Sequence, residues 1–532
     1  MFSQLASEER ETTRSLVFRM GRVKRSVFCL SFFGGCFDAL DIWPNIQKYI
    51  DSDQAIVFKD DHAAKVVSFS VDGKRYIIKQ YKPRCWHKAL RRAWGRSRAH
   101  IAWNKAILLQ ENTIPIGQPM AWMEDRIGIF CIRSFFIARE LPGITAREYL
   151  QARELIGDEI RNALNCIVRS LMCMHDRGIC YGDTKDTNII FQNDRITWVD
   201  YDAVSKSHVG ALRFRRQKKD WQILQYNWRD MPRVHRTFLD VLGTHCSHSE
   251  YLNLIKSFVV YNQKKMRTPL QGLESAQAQR GLPSTSEILK KFHENSLDKS
   301  WQKVRSSQTA LVLRLDHGYS PLYCKIFLPR SRWDVLKSLF RRSRCQRAVH
   351  NKQLLRTAGF NVSEVVSWDH KNGIGVMITK EVKGERLDTY LGNPRNVMTD
   401  EEKKRHSDLM YELGKQAGYL HACGFGHGDL RLSNILVNFD ANRPVLYFFD
   451  NERTKFYGRV PERVIVKNLT QINVDSQQRI SATDRLRIFR AYQHTAGAFG
   501  SPKKQRKIIR KIMQRTEKRL NCRKQLYRHQ DS

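Results

Sequence analysis

Apolar and polar positions alternate in two stretches lying far apart in the chain, Ile56 to Tyr81 and Leu311 to Phe327. In both cases the period of two gives way downstream to the three-to-four spacing of amphipathic helices. Alternation suits strands with one buried face, so the pattern predicts a small sheet-rich lobe followed by a helical lobe, twice over. Within each helical half an apolar run ends in acids: Ile196 to Val199 before Asp200, and Leu446 to Phe449 before Asp450. These are predicted strands that deliver a carboxylate at their ends. Near the N-terminus, Arg19, Arg22, Lys24 and Arg25 precede the mostly apolar run from Val27 to Phe37. The run has the outline of a signal peptide but lacks an A-x-A cleavage pattern and is too short to span a bilayer. A buried helix or strand, or an interfacial anchor, is expected there. No other stretch approaches the roughly eighteen apolar residues of a membrane span.

The two halves share more than a pattern. Met174 to Ile190 (MHDRGICYGDTKDTNII) returns as Leu420 to Leu436 (LHACGFGHGDLRLSNIL), and 246 residues separate His175 from His421, Asp183 from Asp429 and Asn188 from Asn434. The same offset relates Lys79 to Lys325, Arg96-Ser97-Arg98 to Arg342-Ser343-Arg344, and Trp122 to Trp368. An offset of 241 pairs Glu140, Gly143, Tyr149 and Leu150 with Glu381, Gly384, Tyr390 and Leu391. Lys219-Asp220-Trp221 resembles Lys467-Asn468-Leu469 at an offset of 248. We read an N-terminal extension over 1–45, one repeat over 46–290 and a second over 295–532. The join falls between Thr268 and Ser286, where Pro269, Gly272, Gly281 and Pro283 interrupt the apolar pattern. The expected fold class is α+β, two tandem bilobal domains.

At 532 residues, with 41% apolar and 10% aromatic residues, the chain can bury substantial cores, and its length suits more than one domain. Ninety-two Lys and Arg against fifty-three Asp and Glu leave a net charge of +39, which favours a polyanionic partner: nucleic acid, anionic lipid or a phosphorylated glycolipid. The twelve cysteines include no C-x-x-C pair, so neither a zinc ribbon nor a disulfide framework is indicated, and reduced thiols in the cytosol fit best. His245, Cys246 and His248 lack a second ligand pair.

An Asp followed five residues later by an Asn and then a short apolar run is the layout phosphoryl-transfer enzymes use for a substrate-orienting base and a metal ligand. In the first repeat Asp183 takes the first role, Asn188 the second, and Asp200 adds a carboxylate; Lys79 would contact nucleotide phosphates. In the second repeat Asp429, Asn434, Asp450 and Lys325 fill the same positions. Two acids and an amide suit magnesium, which takes oxygen ligands. Lys185 and Arg431, each two residues past the first Asp, would neutralise charge on the transferred group. Asp183 and Asp429 alone also fit turn or cap residues, and it is their recurrence with a matching Lys and downstream Asp that favours a phosphotransferase-derived fold.

Lys325, Ser343-Arg344, His421, Gly424, His427-Gly428-Asp429-Leu430, Asn434-Ile435-Leu436 and the run from Asp450 to Arg453 resemble the bacterial lipopolysaccharide core kinases, the Kdo and heptose kinases of protein-kinase-like fold. The resemblance covers most of each repeat, although aminoglycoside and choline kinases share its central block. It implies ATP and Mg2+ as cofactors. It also implies a sugar hydroxyl of lipopolysaccharide core, or of a similar phosphorylated glycolipid, as acceptor, at the cytoplasmic face of the inner membrane. An anionic membrane surface is a second expected partner, consistent with the charge; specific nucleic-acid binding is not expected.

The sequence departs from the family in three ways. Lys82 to Gln110 and Val335 to Asn361 contain no acid, so the usual helix Glu is replaced by Ala102 and Ala348. Glu140 or Glu381 is left as the expected partner of Lys79 or Lys325. No G-x-G-x-x-G precedes either Lys. Tyr181 stands where the second repeat has His427, and Ala203 where it has Arg453. The second repeat is thus expected to be the catalytic one. The C-terminal stretch Ser501 to Arg528 reads as a basic amphipathic helix facing a membrane or solvent. Alternatives are a tandem pseudokinase scaffold in envelope assembly and a protein Ser/Thr kinase.

Overall fold

The computed structural model describes residues 13–30, 42–82, 95–152, 157–192, 194–207, 209–266, 285–294, 301–304, 309–316, 321–329, 342–371, 373–392, 399–476, 480–497 and 501–528. The chain is mixed α/β and divides into two compact units, Met1–His245 and Cys246–Ser532. Helix His248–Lys265, counted with the first repeat on sequence grounds, therefore groups with the second unit. Most of the proposed join, 268 to 284, lies outside the described residues.

The first unit opens with β1 (Thr13–Met20), β2 (Val23–Leu30), β3 (Ile56–Asp60), β4 (Ala64–Val71), β5 (Lys74–Tyr81), β6 (Pro119–Ile127) and β7 (Phe130–Arg139). They form one sheet in the order β1-β2-β6-β7-β5-β4-β3. Alternation sets which face the middle of a strand buries: on β5 Tyr76, Ile78 and Gln80 are buried, while Ile77 and Lys79 between them are half-buried. The N-terminal apolar run resolves in part as β2; 31–37 falls outside the described residues. Arg25 on β2 is buried because Asp125 of β6 holds it in a two-pronged ion pair of 2.6 and 2.7 Å, while its remaining nitrogen donates to the carbonyls of Trp43 and Pro44.

Helices and short hairpins follow. β8 (Ile144–Thr145), β10 (Ile189–Gln192) and β11 (Arg195–Trp198) make one small sheet, and β9 (Ile179–Cys180) pairs with β12 (Ser205–Lys206). Helix Gly157–Asp176 buries Ile160, Leu164, Ile167, Val168, Leu171 and His175, the three-to-four spacing of one face.

In the second unit β13 (Trp301–Lys303), β14 (Ala310–Leu315), β15 (Leu322–Phe327), β16 (Val365–Lys371) and β17 (Ile374–Lys380) form a sheet in the order β13-β14-β15-β17-β16. It is the order of β3-β4-β5-β7-β6 without the two added edge strands. Its core joins Leu313, Leu322, Cys324, Ile326, Val376 and Ile378. β18 (Glu385–Arg386), β20 (Ile435–Asp440) and β21 (Arg443–Phe448) make a small sheet, and β19 (Phe425–Gly426) pairs with β22 (Lys455–Phe456).

The two units also match in their junctions. Gly143 has φ +138° and Gly384 φ +148°, and a Cβ would lie 2.3 Å from the Phe191 carbonyl oxygen or 2.6 Å from that of Val437. Only glycine fits, because the chain leaving the sheet presses against the hairpin that carries Asn188 or Asn434.

The C-terminal helix, Pro502–Arg528, splits its apolar residues. Ile508 and Ile512 are buried with Thr516 in a stripe, while Ile509 and Met513 are exposed. Half of the apolar face is therefore consumed by docking. Among the described residues no helix is long and apolar enough to cross a membrane.

Candidate functional site

In the second unit, β15 carries Lys325 and β21 delivers Asp450, and the two meet at 2.8 Å. Asp450 stands at φ +52°, a left-handed backbone that costs a non-glycine residue roughly 1–3 kcal/mol and is commonest at functional sites. Burial by itself pushes the Asp450 carboxyl up. Lys325, through charge and hydrogen bond, together with His427 and Arg344, outweighs burial and leaves it below the ordinary carboxylate range.

Asp429 lies on the turn after β19. Its Oδ1 accepts from Gln471 Nε2 at 2.7 Å and pairs with Arg431 Nε at 2.9 Å. Asn434 donates its Nδ2 to the Asp429 carbonyl at 2.9 Å and weakly to Oδ2 at 3.3 Å, which leaves its own carbonyl oxygen for a cation. The main chain ties the two motifs together, since Phe449 N–H donates to the Asn434 carbonyl at 2.9 Å. Gly428 has no room for a side chain: a Cβ would lie 2.1 Å from that of Arg453.

His427 holds this turn. Its Nδ1 accepts the Asp429 backbone N–H at 3.1 Å, so the proton sits on Nε2, which donates to the Phe449 carbonyl and Asn451 Oδ1, each at 3.1 Å. Burial lowers its pKa and favours this neutral form. Asn468 accepts the His427 N–H and donates to the His427 carbonyl, fixing the turn from the helix Glu462–Ser476.

The first unit brings the same residue types together differently. Lys79 pairs with Asp200 at 2.6 Å and also with Asp202 at 3.1 Å. Asp202 additionally accepts from Tyr81 Oη at 2.6 Å and Arg98 at 3.2 Å. Burial pushes its carboxyl up, but Lys79, Tyr81 and Arg98 bring it below its ordinary value. Asp200 is left-handed too, at φ +69°. Asp183 pairs with Lys185 at 2.8 Å, and Asn188 donates to the Asp183 carbonyl at 3.0 Å. Tyr181 donates its hydroxyl to the carbonyls of Val199 and Asp200, and Asp220 accepts the N–H groups of Tyr181 and Gly182.

Glu140 and Glu381 are not brought to the lysines. Glu140 bonds Arg75 at 2.7 Å as well as Ser68, and Glu381 bonds Arg314 at 3.1 Å. The missing helix acid has instead been exchanged for a helix cation. Arg344, at the start of helix Arg344–Thr357, holds Glu452 through both carboxylate oxygens at 3.0 and 3.2 Å; Arg98 reaches Asp202 from the corresponding place. The polarity of the tie between helix and site is reversed. The recurring D-x-[DE], Asp200-Tyr201-Asp202 and Asp450-Asn451-Glu452, together with the repeated Arg, was the signal for it. Gln471 and Lys352 carried no such signal. Lys352 is buried against Ser363, with its ammonium 5.6 Å from the centre of the Phe449 ring. Burial first, and Lys325 second, push its pKa down to about 7 despite Asp450.

Asp429, Asn434, Asp450 and Lys325 are thus gathered in the second unit, the residue types expected of a kinase-type site. Residues 302–492, which contain all of these second-unit groups, match the lipopolysaccharide kinase (Kdo/WaaP) family. A site of this kind implies ATP as phosphoryl donor. The chain is 34% identical over 110 residues to the KEOPS complex subunit Bud32 of Pyrococcus abyssi, a match covering 20% of this chain and 44% of that protein. Among solved structures it is similar to WaaP in complex with acyl carrier protein (16% identity, 43% of this chain and 95% of that one, TM-score 0.31). It is also similar to the Mycobacterium tuberculosis PknI kinase domain (14%, 34% and 73%, 0.23) and to WbdD (16%, 40% and 50%, 0.26).

Proposed function

We propose that the chain is an ATP-dependent phosphotransferase of two tandem bilobal kinase-like units, acting on a sugar hydroxyl of lipopolysaccharide inner core through its second unit. The observation that carries this is the second-unit constellation of Lys325 on Asp450 and Asp429 between Gln471 and Arg431, lying within the segment matched to the family. Asp429 orients the acceptor hydroxyl and takes its proton; Arg431 faces the charge that develops on the transferred group. Lys325 holds nucleotide phosphates once released from Asp450. Asn434 and Asp450 would be the oxygen donors that hold Mg2+, which would supply neutralisation of the phosphate charge. Asp183, Lys185, Lys79, Asn188 and Asp200 are the first-unit counterparts. The net charge of +39 suits work at the cytoplasmic side of an anionic membrane.

A narrower role for the first unit is favoured by one observation: Lys79 is already satisfied by two carboxylates. There the unit holds substrate or nucleotide without transferring phosphate. The deciding measurement is magnesium-dependent transfer from ATP to deacylated lipopolysaccharide core by wild type, Asp183→Asn and Asp429→Asn. Asp429→Asn should lose about 10²- to 10⁴-fold, and Asp183→Asn far less. No transfer and no ATP binding by any of the three would leave a tandem pseudokinase scaffold, while transfer to a protein acceptor alone would point to a Ser/Thr kinase.

A further inference from the structure

Beside Asp429 the second unit holds an open cavity of about 480 Å³ lined by Arg431, Gln471, Val474, Arg515, Lys518, Arg519 and Cys522. Its volume is in the range of small-molecule sites. Positions 515, 518, 519 and 522 follow helical three-to-four spacing, so one stripe of the C-terminal helix supplies most of that wall. The rotation of the helix is fixed by the adjoining stripe: Ile508, Ile512 and Thr516 are buried, Asn473 donates to Thr516 Oγ1 at 2.9 Å, and Lys511 pairs with Glu462 at 2.6 Å. Packing therefore holds these exposed cations along the open side of the cavity.

Their charge is uncompensated. Among the described residues Lys511 has a carboxylate partner, whereas Arg515, Lys518 and Arg519 have none, and Arg431 shares the single Asp429 with Gln471. Like charges gathered on one cavity repel each other unless an anion enters between them. Gln471 connects the cavity to the chemistry, since its side-chain oxygen accepts the Leu430 N–H at 3.1 Å and its amide donates to Asp429. In the first unit the corresponding position is Ile223, which can do neither.

We infer that this cavity is a subsite for an anionic group, phosphate or carboxylate, carried by the acceptor next to the hydroxyl that Asp429 orients. The assignment to the acceptor rests on the phosphotransferase reading; binding of the anion does not. Guanidinium groups suit such ligands because they present paired donors to two oxygens at once. The C-terminal helix thereby selects an acceptor that is already charged.

The test uses the full chain and inorganic pyrophosphate, titrated by phosphorus NMR. Arg515→Gln combined with Arg519→Gln should raise the dissociation constant at least tenfold. Lys503→Gln combined with Arg510→Gln, which removes equal charge from exposed positions of the same helix, should change it less than twofold. Equal effects from both pairs, or none from the first, would overturn the inference. Vesicles of phosphatidylglycerol and phosphatidylcholine separate the two sources of anion. If the first pair loses vesicle binding but keeps pyrophosphate, the stripe faces lipid and the subsite is wrong. Transfer to deacylated core distinguishes the two readings: an unchanged KM in the first pair sinks the subsite, whereas no transfer by wild type, with the pyrophosphate result intact, sinks only the phosphotransferase reading.

Discussion

The two candidate sites use the same residue types and differ in what surrounds them. In the first unit Lys79 is shared by Asp200 and Asp202, and Tyr81 also bonds Asp202. In the second, Phe327 stands where Tyr81 does and has no hydroxyl to offer, Glu452 is held by Arg344 and, at 3.7 Å, by Arg453, and among the described residues Lys325 pairs with the single carboxylate of Asp450. Asp183 and Asp429 differ in the same sense. Asp429 is steadied by Gln471 and by the His427 contact to its backbone, whereas a tyrosine stands at His427's position in the first unit and an isoleucine at Gln471's. A motif therefore does not fix its own readiness. The neighbours that pre-empt or release its charges do, and here they leave the lysine of the second unit with one carboxylate where that of the first has two.

The two sites differ most in how the helix arginine is tied to its acid. Arg344 and Glu452 are mostly buried, so Glu452→Ala strands a guanidinium and should cost about 3–5 kcal/mol of second-unit stability. Asp202→Ala should cost less, because Asp200 remains to hold Lys79. Chemical denaturation of both variants reads this, and equal losses would remove the distinction. Lys325→Met should lower transfer about 100-fold, near 2.7 kcal/mol of transition-state stabilisation, and Lys79→Met less than fivefold. Steady-state kinetics decide between them, and the reverse order would make the first unit the working one.

Lys352 provides a pH test. Its ammonium, at about 7 in the fold against an ordinary 10.5, binds fewer protons than in the unfolded chain between those values. Stability should then rise with pH across that window, by up to about 1.4 kcal/mol per unit, and be insensitive to this group below it. Melting temperatures from pH 7 to 9 should show the slope in wild type and lose this part of it in Lys352→Met; an unchanged slope would mean the ammonium is not desolvated. The smallest effect is expected at Gln471→Ala, which removes the hydrogen bond to the Asp429 carboxylate along with those from Leu430 and Asn468 and should lower transfer about tenfold, close to 1.4 kcal/mol. It should leave ATP affinity alone.

Much of this was legible along the chain. Alternation marked β5 and β15, helical spacing marked the helices behind Asp183 and Asp429, and the 246-residue offset paired residues that occupy corresponding places in the two units. Partnership was less legible. Glu140 and Glu381 looked like the available acids for the lysines because no other lay near them in sequence, yet Arg75 and Arg314 hold them. The helix looked deficient because its acid was missing, when its arginine meets an acid 108 positions away.

Periodicity and residue type by themselves determined the strands, the helices, the repeated motif and the class of chemistry, because those follow from local geometry and from what a carboxylate, an amide or an ammonium can do. Which carboxylate meets which cation, which lysine loses its water, and which face of the C-terminal helix is spent on docking were decided only by the tertiary structure. Ion pairing and desolvation depend on distance and burial, and folding sets both between residues that the chain keeps far apart.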